Sequence, residues 1–190
     1  VSDAAAASSP YLENLKKKGV EVLLLWERVD EWIMAQVSDY KDHKFISAAA
    51  SNLELGDLED KEEKEKQEAA TKENGDLLKR IKDALGEKVS EVKVSSRLVD
   101  TPSCVISDGM NMMTAQMRRL LEASGQKLPD EKFTLEINPT HPLVQKMAAQ
   151  TDDAAFKKWA EVIFDQALLA EGGLKDPTSF VKRLNELLLG

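Results

Sequence analysis

Apolar side chains change their spacing repeatedly along this chain, and the changes predict its elements. "PYLENLKKKG" reads as a short helix, with Pro10 near its start and Gly19 as a stop behind three lysines that suit the negative end of the helix dipole. "VEVLLLW", Val20 to Trp26, is dense in β-formers and predicts a buried strand. "ERVDEWIMAQV" returns to helical spacing, with Val29, Trp32, Ile33 and Gln36 on one side. "DYKDHKF" reads as a turn and "KFISA" as a short strand, so strand, helix and strand make a small α/β unit.

Apolar periodicity then stops. "EDKEEKEKQEAATKE", Glu59 to Glu73, has seven acids, four lysines and no large apolar residue. It offers i,i+4 ion pairs but no face to bury, and reads as a solvated connector or frayed helix. The chain divides here, into residues 1–56, a connector at 57–75, and residues 76–190.

From Asp76 the pattern tightens again. "DLLKRIKDALG" predicts a helix with Leu77, Ile81 and either Leu78 or Leu85 on one side, Asp76 as N-cap and Gly86 as stop. "VSEVKVSSRLV" carries Val89, Val92 and Val94 as a half-buried strand. "TPSCVISDG" gives a second, with Pro102 at its beginning, where proline is tolerated. "KFTLEINP" alternates Phe133, Leu135 and Ile137 as a third. Between the last two lies "GMNMMTAQMRRLL", holding four of the chain's six methionines. Wound as a helix, it aligns Met110, Met113, Met117, Leu120 and Leu121 in one arc, which is either core or a binding surface.

The end of the chain is helical. "HPLVQKMAAQ" has Pro142 in a first turn, "DDAAFKKWAEVIFDQALLAEGG" runs from acids to a stop at Gly172 and Gly173, and "DPTSFVKRLNELLLG" opens on Asp176 and Pro177. The fold class is α+β: a small α/β part, the charged connector, then a three-stranded sheet with helices. The last two helices carry apolar residues on more than one face, including Leu168 and Leu169 on the first and Phe180, Val181, Leu184, Leu187 and Leu188 on the second. Two such helices from each of two copies would close a four-helix bundle about a two-fold axis; alternatively both stripes face the chain's own sheet.

Charge and chemistry narrow the function classes. A net charge of −8 over 190 residues argues against a nucleic-acid or anionic-membrane footprint. The single cysteine, Cys104, permits no internal disulfide and, in an apolar strand, reads as a buried, inert thiol. His43 and His141 stand far apart with no zinc spacing, and His141, before Pro142, reads as a helix cap. No phosphate cradle, dinucleotide fingerprint or nucleophile elbow occurs in the sequence. The opening "VSDAAAASSP" lacks the pattern of a signal peptide and reads as a cut inside a longer protein.

Several long stretches carry a resemblance. "SSPYLENLKKKGVEVLLLWERVDEW", "VKVSSRLVDTPSCVISD", "GQKLP", "LEINPTHPLV", "DQALLAEGG" and "DPTSFVKRLNELL" resemble the heat-shock protein 90 chaperones, the bacterial branch above all. The likeness covers nearly the whole chain apart from the connector. It implies that residues 1–56 are the end of a middle domain and 76–190 a C-terminal dimerisation domain. It also implies a homodimer through Leu168, Leu169, Phe180, Leu184, Leu187 and Leu188. Partly folded client proteins are expected at Glu31, Trp32, Met113, Met117, Leu120 and Leu121, where an exposed methionine face repacks against varied apolar partners. ATP and magnesium would belong to an N-terminal domain outside this segment, so neither cofactor nor catalysis is expected here. Co-chaperones are further expected partners, although the ending "NELLLG" lacks the acidic tail that docks tetratricopeptide proteins. The expected location is cytoplasmic, without nucleic acid or membrane as partner.

Overall fold

A computed structural model describes residues 3–27, 29–50, 53, 61–107, 124–125 and 132–189. In chain order the described elements begin with α1 (Asp3–Ala7), a 3-10 turn (Pro10–Leu12), α2 (Glu13–Lys17) and α3 (Asp30–Gln36). A two-residue hairpin follows, β1 (Asp39–Tyr40) and β2 (His43–Lys44). Then come α4 (Lys61–Glu73), α5 (Gly75–Leu85), β3 (Val89–Val94), β4 (Ser103–Ser107) and β5 (Phe133–Ile137). The chain finishes with α6 (Pro142–Ala148), α7 (Asp153–Ala170) and α8 (Pro177–Leu189), a mixed α+β arrangement.

The larger sheet has the order β3-β5-β4, with β5 parallel to β3 and antiparallel to β4. Val89 and Val92 are an odd number of residues apart, which strict alternation would put on opposite faces. A register shift between Val89 and Glu91 inserts one extra residue, and all three valines of β3 are buried. One face of the sheet packs its Val105, Leu135 and Ile137 against Leu78, Ile81 and Leu85 of α5, Val144 and Met147 of α6, and Phe156, Ile163, Phe164 and Ala167 of α7. The opposite face gathers Cys104 and Ile106 beneath Tyr11, with Leu98 and Ala48 alongside. Residues 134 to 138 are therefore buried without a break, whereas alternation alone predicts a solvated side. The first section of the chain covers that side.

Local chemistry explains the boundaries. Helix α2 ends on Gly19 at φ 68°, with Gly19 donating to the carbonyl of Lys16 and Val20 to that of Leu15. Helix α7 ends the same way on Gly172 at φ 69°, with Gly172 donating to Leu169 and Gly173 to Leu168. Both are Schellman closures, whose left-handed residue favours glycine. Asp152 caps α7, its carboxylate accepting from the amide of Ala155 at 2.8 Å, and His141 Nδ1 caps α6 by accepting from Leu143 at 3.1 Å.

Several expectations change, "KFISA" among them: only its Lys44 lies in a strand, so the expected unit of strand, helix and strand does not form among the described residues. "VEVLLLW" forms no strand: residues 20–26 lie without strand pairing among the described residues, and Leu23 is 71% exposed. Apolar density states a demand for burial, but a strand also requires a neighbour to take its backbone hydrogen bonds. The connector takes the helical one of its two readings, from Lys61 to Glu73, but it does present a face to bury: Ala70 packs on the main core and Gln67 Nε2 donates to the carbonyl of Val94 at 3.3 Å. In consequence α5 begins at Gly75 behind Asn74, and Asp76 sits inside its first turn rather than at the cap. The methionine segment, including Met113, Met117, Leu120 and Leu121, lies outside the described residues.

Candidate interaction surfaces

The first candidate surface is built on α3. The carboxylate of Asp30 accepts from the amide of Glu27 at 2.8 Å and shapes the entry to the helix. The exit is fixed by the β1–β2 hairpin, whose turn residues Lys41 and Asp42 both have positive φ, 49° and 67°, as a hairpin turn with right-handed strand twist requires. Trp32 projects from this short helix at 67% exposure, with Val29 and Ile33 on the same side also exposed. Glu31 belongs to the helix, and its side chain lies outside the description.

The second surface is the α7–α8 pair. Lys158 meets Glu186 at 3.3 Å and Arg183 donates to the Asp165 carboxylate, so earlier residues pair with later ones and the helices run antiparallel. Asp165 is buried, and its hydrogen bond holds the Arg183 guanidinium above its ordinary pKa. Of the predicted interface residues, Phe180 is buried in its own chain, and Leu168, Leu184 and Leu187 are half-buried. Leu169 is exposed, and Leu188 is 75% exposed. Val181 and Leu189 add to the open flank, Leu189 being 89% exposed. The apolar stripe of α8 thus has one side turned inward and one turned to solvent.

Sequence reasoning missed a third group of residues, where the first section meets the sheet. Glu13 places its carboxylate over the loop after β3, accepting from the amides of Asp100 at 2.8 Å and Thr101 at 3.2 Å, from that of Val99, and from the Thr101 hydroxyl. Partial burial pushes this carboxyl up, but the Thr101 hydroxyl and the three amides outweigh it and hold the group below the usual carboxylate range. Arg97 and Glu136 form a buried pair, with Nε to Oε2 at 2.9 Å. The guanidinium also lies 5.7 Å from the Tyr11 ring centroid. The Tyr11 hydroxyl donates to the carbonyl of Val105. Burial and then the Glu171 carboxylate raise the pKa of Tyr11 well above its ordinary value, and burial raises that of Glu171. No local feature of the sequence marks Glu136 as buried; its burial follows from what covers it.

Cys104 is buried, and burial together with the Glu136 carboxylate pushes its thiol far up, away from nucleophilic use. Among the described residues no group of three or more His, Cys, Asp or Glu side chains is disposed to hold a metal ion. No described helix is long and apolar enough to cross a membrane.

Comparison with known proteins places the chain in a class. Residues 1–189 match the family described as Hsp90 protein, and the chain belongs to that family. Among its relatives is the chaperone protein HtpG of Shewanella amazonensis, 50% identical over 189 residues that make up 99% of this chain and 30% of the relative. The HtpG of Shewanella sediminis is 51% identical and that of Shewanella pealeana 49%, with the same coverage. The chain therefore spans about 30% of the length of these relatives.

Proposed function

We propose that this chain is the dimerising and client-holding part of an ATP-dependent chaperone. Residues 1–56 serve as the end of a middle domain, 57–75 as connector and 76–190 as the dimerisation domain. Helices α7 and α8 of two copies close a four-helix bundle, with Leu168, Leu169, Phe180, Leu184, Leu187 and Leu188 at or beneath the seam. Clients are held by Trp32 and Glu31 and by Met113, Met117, Leu120 and Leu121. Nucleotide chemistry belongs to the rest of the whole protein, co-chaperones to its further partners, and the cytoplasm to its location.

The observation that carries this reading is the open flank of α8, in a chain of the Hsp90 family. Burying Leu169, Val181, Leu188 and Leu189 supplies roughly 1–2 kcal/mol each, or on the order of 10 kcal/mol for two copies. Association costs about 4–15 kcal/mol, so the half-buried Leu184 and Leu187 must also contribute to a stable dimer. Light scattering of the 21.1 kDa chain at micromolar concentration tests the proposal. Twice that mass is expected, halving when Leu184→Glu and Leu188→Glu are combined. A monomer from the unaltered chain would overturn it.

A further inference from the structure

Residues 20–46 carry the exposed Trp32, and the contacts that bracket this excursion converge on one loop, Ser95 to Thr101, between β3 and β4. On the outgoing side, Glu13 accepts from Val99, Asp100 and Thr101, Asn14 Nδ2 donates to the carbonyl of Ser96 at 2.8 Å, and the Asn14 amide donates to that of Arg97 at 3.0 Å. On the returning side, Arg97 Nη1 donates to the carbonyl of Ala48 at 2.8 Å and Nη2 to that of Ala50 at 2.9 Å. The same guanidinium holds Glu136 of the central strand through Nε and Nη2, and Ser95 Oγ donates to Glu136 at 2.7 Å while accepting from the amides of Arg97 and Leu98. One planar fork thus reaches two carbonyls of the returning chain and a carboxylate of the sheet, a geometry that an ammonium cannot reproduce.

We propose that the Ser95–Thr101 loop is a two-sided anchor for the Trp32-bearing excursion, and that Arg97 is the positioning residue that fixes its returning end to the sheet. The inference holds whether or not Trp32 contacts a client. It assigns Arg97, a buried side chain outside both candidate surfaces, the task of setting where the excursion sits on the sheet.

Amide exchange in the full 190-residue chain tests it. The amide of Ala50 donates to the Ser47 carbonyl and that of Ala49 to Ser47 Oγ, within the turn that Arg97 clamps. In Arg97→Met combined with Glu136→Gln, which removes both charges at similar volume, these two amides should exchange at least about tenfold faster, while Leu135 and Ile137 stay protected. Should that variant lose protection at Leu135 and Ile137, Arg97→Lys takes its place with the same expectation, because it keeps a cation beside Glu136. A second readout is the distance distribution between spin labels at the exposed Gln36 and Lys157 in a Cys104→Ser background, which should broaden in the Arg97 variant. Unchanged exchange at Ala49 and Ala50, or an unchanged distance distribution, in a variant with an intact sheet would overturn the proposal.

Discussion

Replacing Arg97 by Met should destabilise the fold more than its four side-chain hydrogen bonds suggest, because of what it leaves behind. Glu136 is 3% exposed, so its carboxylate would keep the hydroxyl of Ser95 at 2.7 Å and the ammonium of Lys93 at 3.7 Å but lose its principal counter-charge. Breaking a buried pair by removing one partner costs about 3–5 kcal/mol. Lys93 is partly exposed and compensates in part, which puts the expectation at about 3 kcal/mol. Neutralising Glu136 as well, by Glu136→Gln, removes the uncompensated charge. The carbonyls of Ala48 and Ala50 belong to half-buried residues and can turn to water, so the double variant should cost only about 1–2 kcal/mol. Urea unfolding of the wild type, both single variants and the double variant gives the coupling directly. It should be non-additive by at least about 1 kcal/mol, with the double variant no less stable than Arg97→Met alone. Costs that add to within about 0.5 kcal/mol would refute the claim that the two charges are held against each other.

Two further perturbations probe other parts of the fold. Phe156 is 1% exposed under the guanidinium of Arg80, whose carbon lies 3.9 Å from the ring centroid, so Phe156→Ala should cost about 3–5 kcal/mol in urea unfolding; a loss below about 1 kcal/mol would contradict its central place in the core. Glu13 has a folded-state pKa below its unfolded value of 4.5, so the stability it contributes is present above that value and fades as pH falls through the folded one. The stability difference between wild type and Glu13→Gln should therefore shrink between about pH 6 and about pH 3, and a difference that grows on acidification would reverse the assigned sign.

Much of the larger sheet and its helices is legible in the sequence because local and global signals agree there. Gly19, Gly172 and His141 sit where backbone geometry requires a left-handed residue or a cap, and each does the predicted work. The valines of β3 were grouped correctly although their spacing breaks alternation, since composition marks the strand even where a bulge shifts its register. "VEVLLLW" fails for the complementary reason. Its composition matches a central strand, yet pairing is a property of two segments, and no second strand pairs with residues 20–26 among those described.

The missed anchor makes the same point about charge. In "KFTLEINP" the polar alternates Thr134 and Glu136 read as the wet side of a half-buried strand, and no local feature distinguishes them from surface residues. They become interior because Tyr11, Ala48 and Leu98, distant in sequence, cover that face. Once it is covered, a carboxylate there is tolerable only with a partner, and Arg97 answers that demand from a loop instead of a strand. The pair therefore tells the outer sections of the chain where to dock: another seating of residues 48–50 would take from the buried guanidinium the two carbonyls that accept from Nη1 and Nη2. Charge that was invisible as a core signal fixes how the first section sits on the sheet, and through it where Trp32 is held.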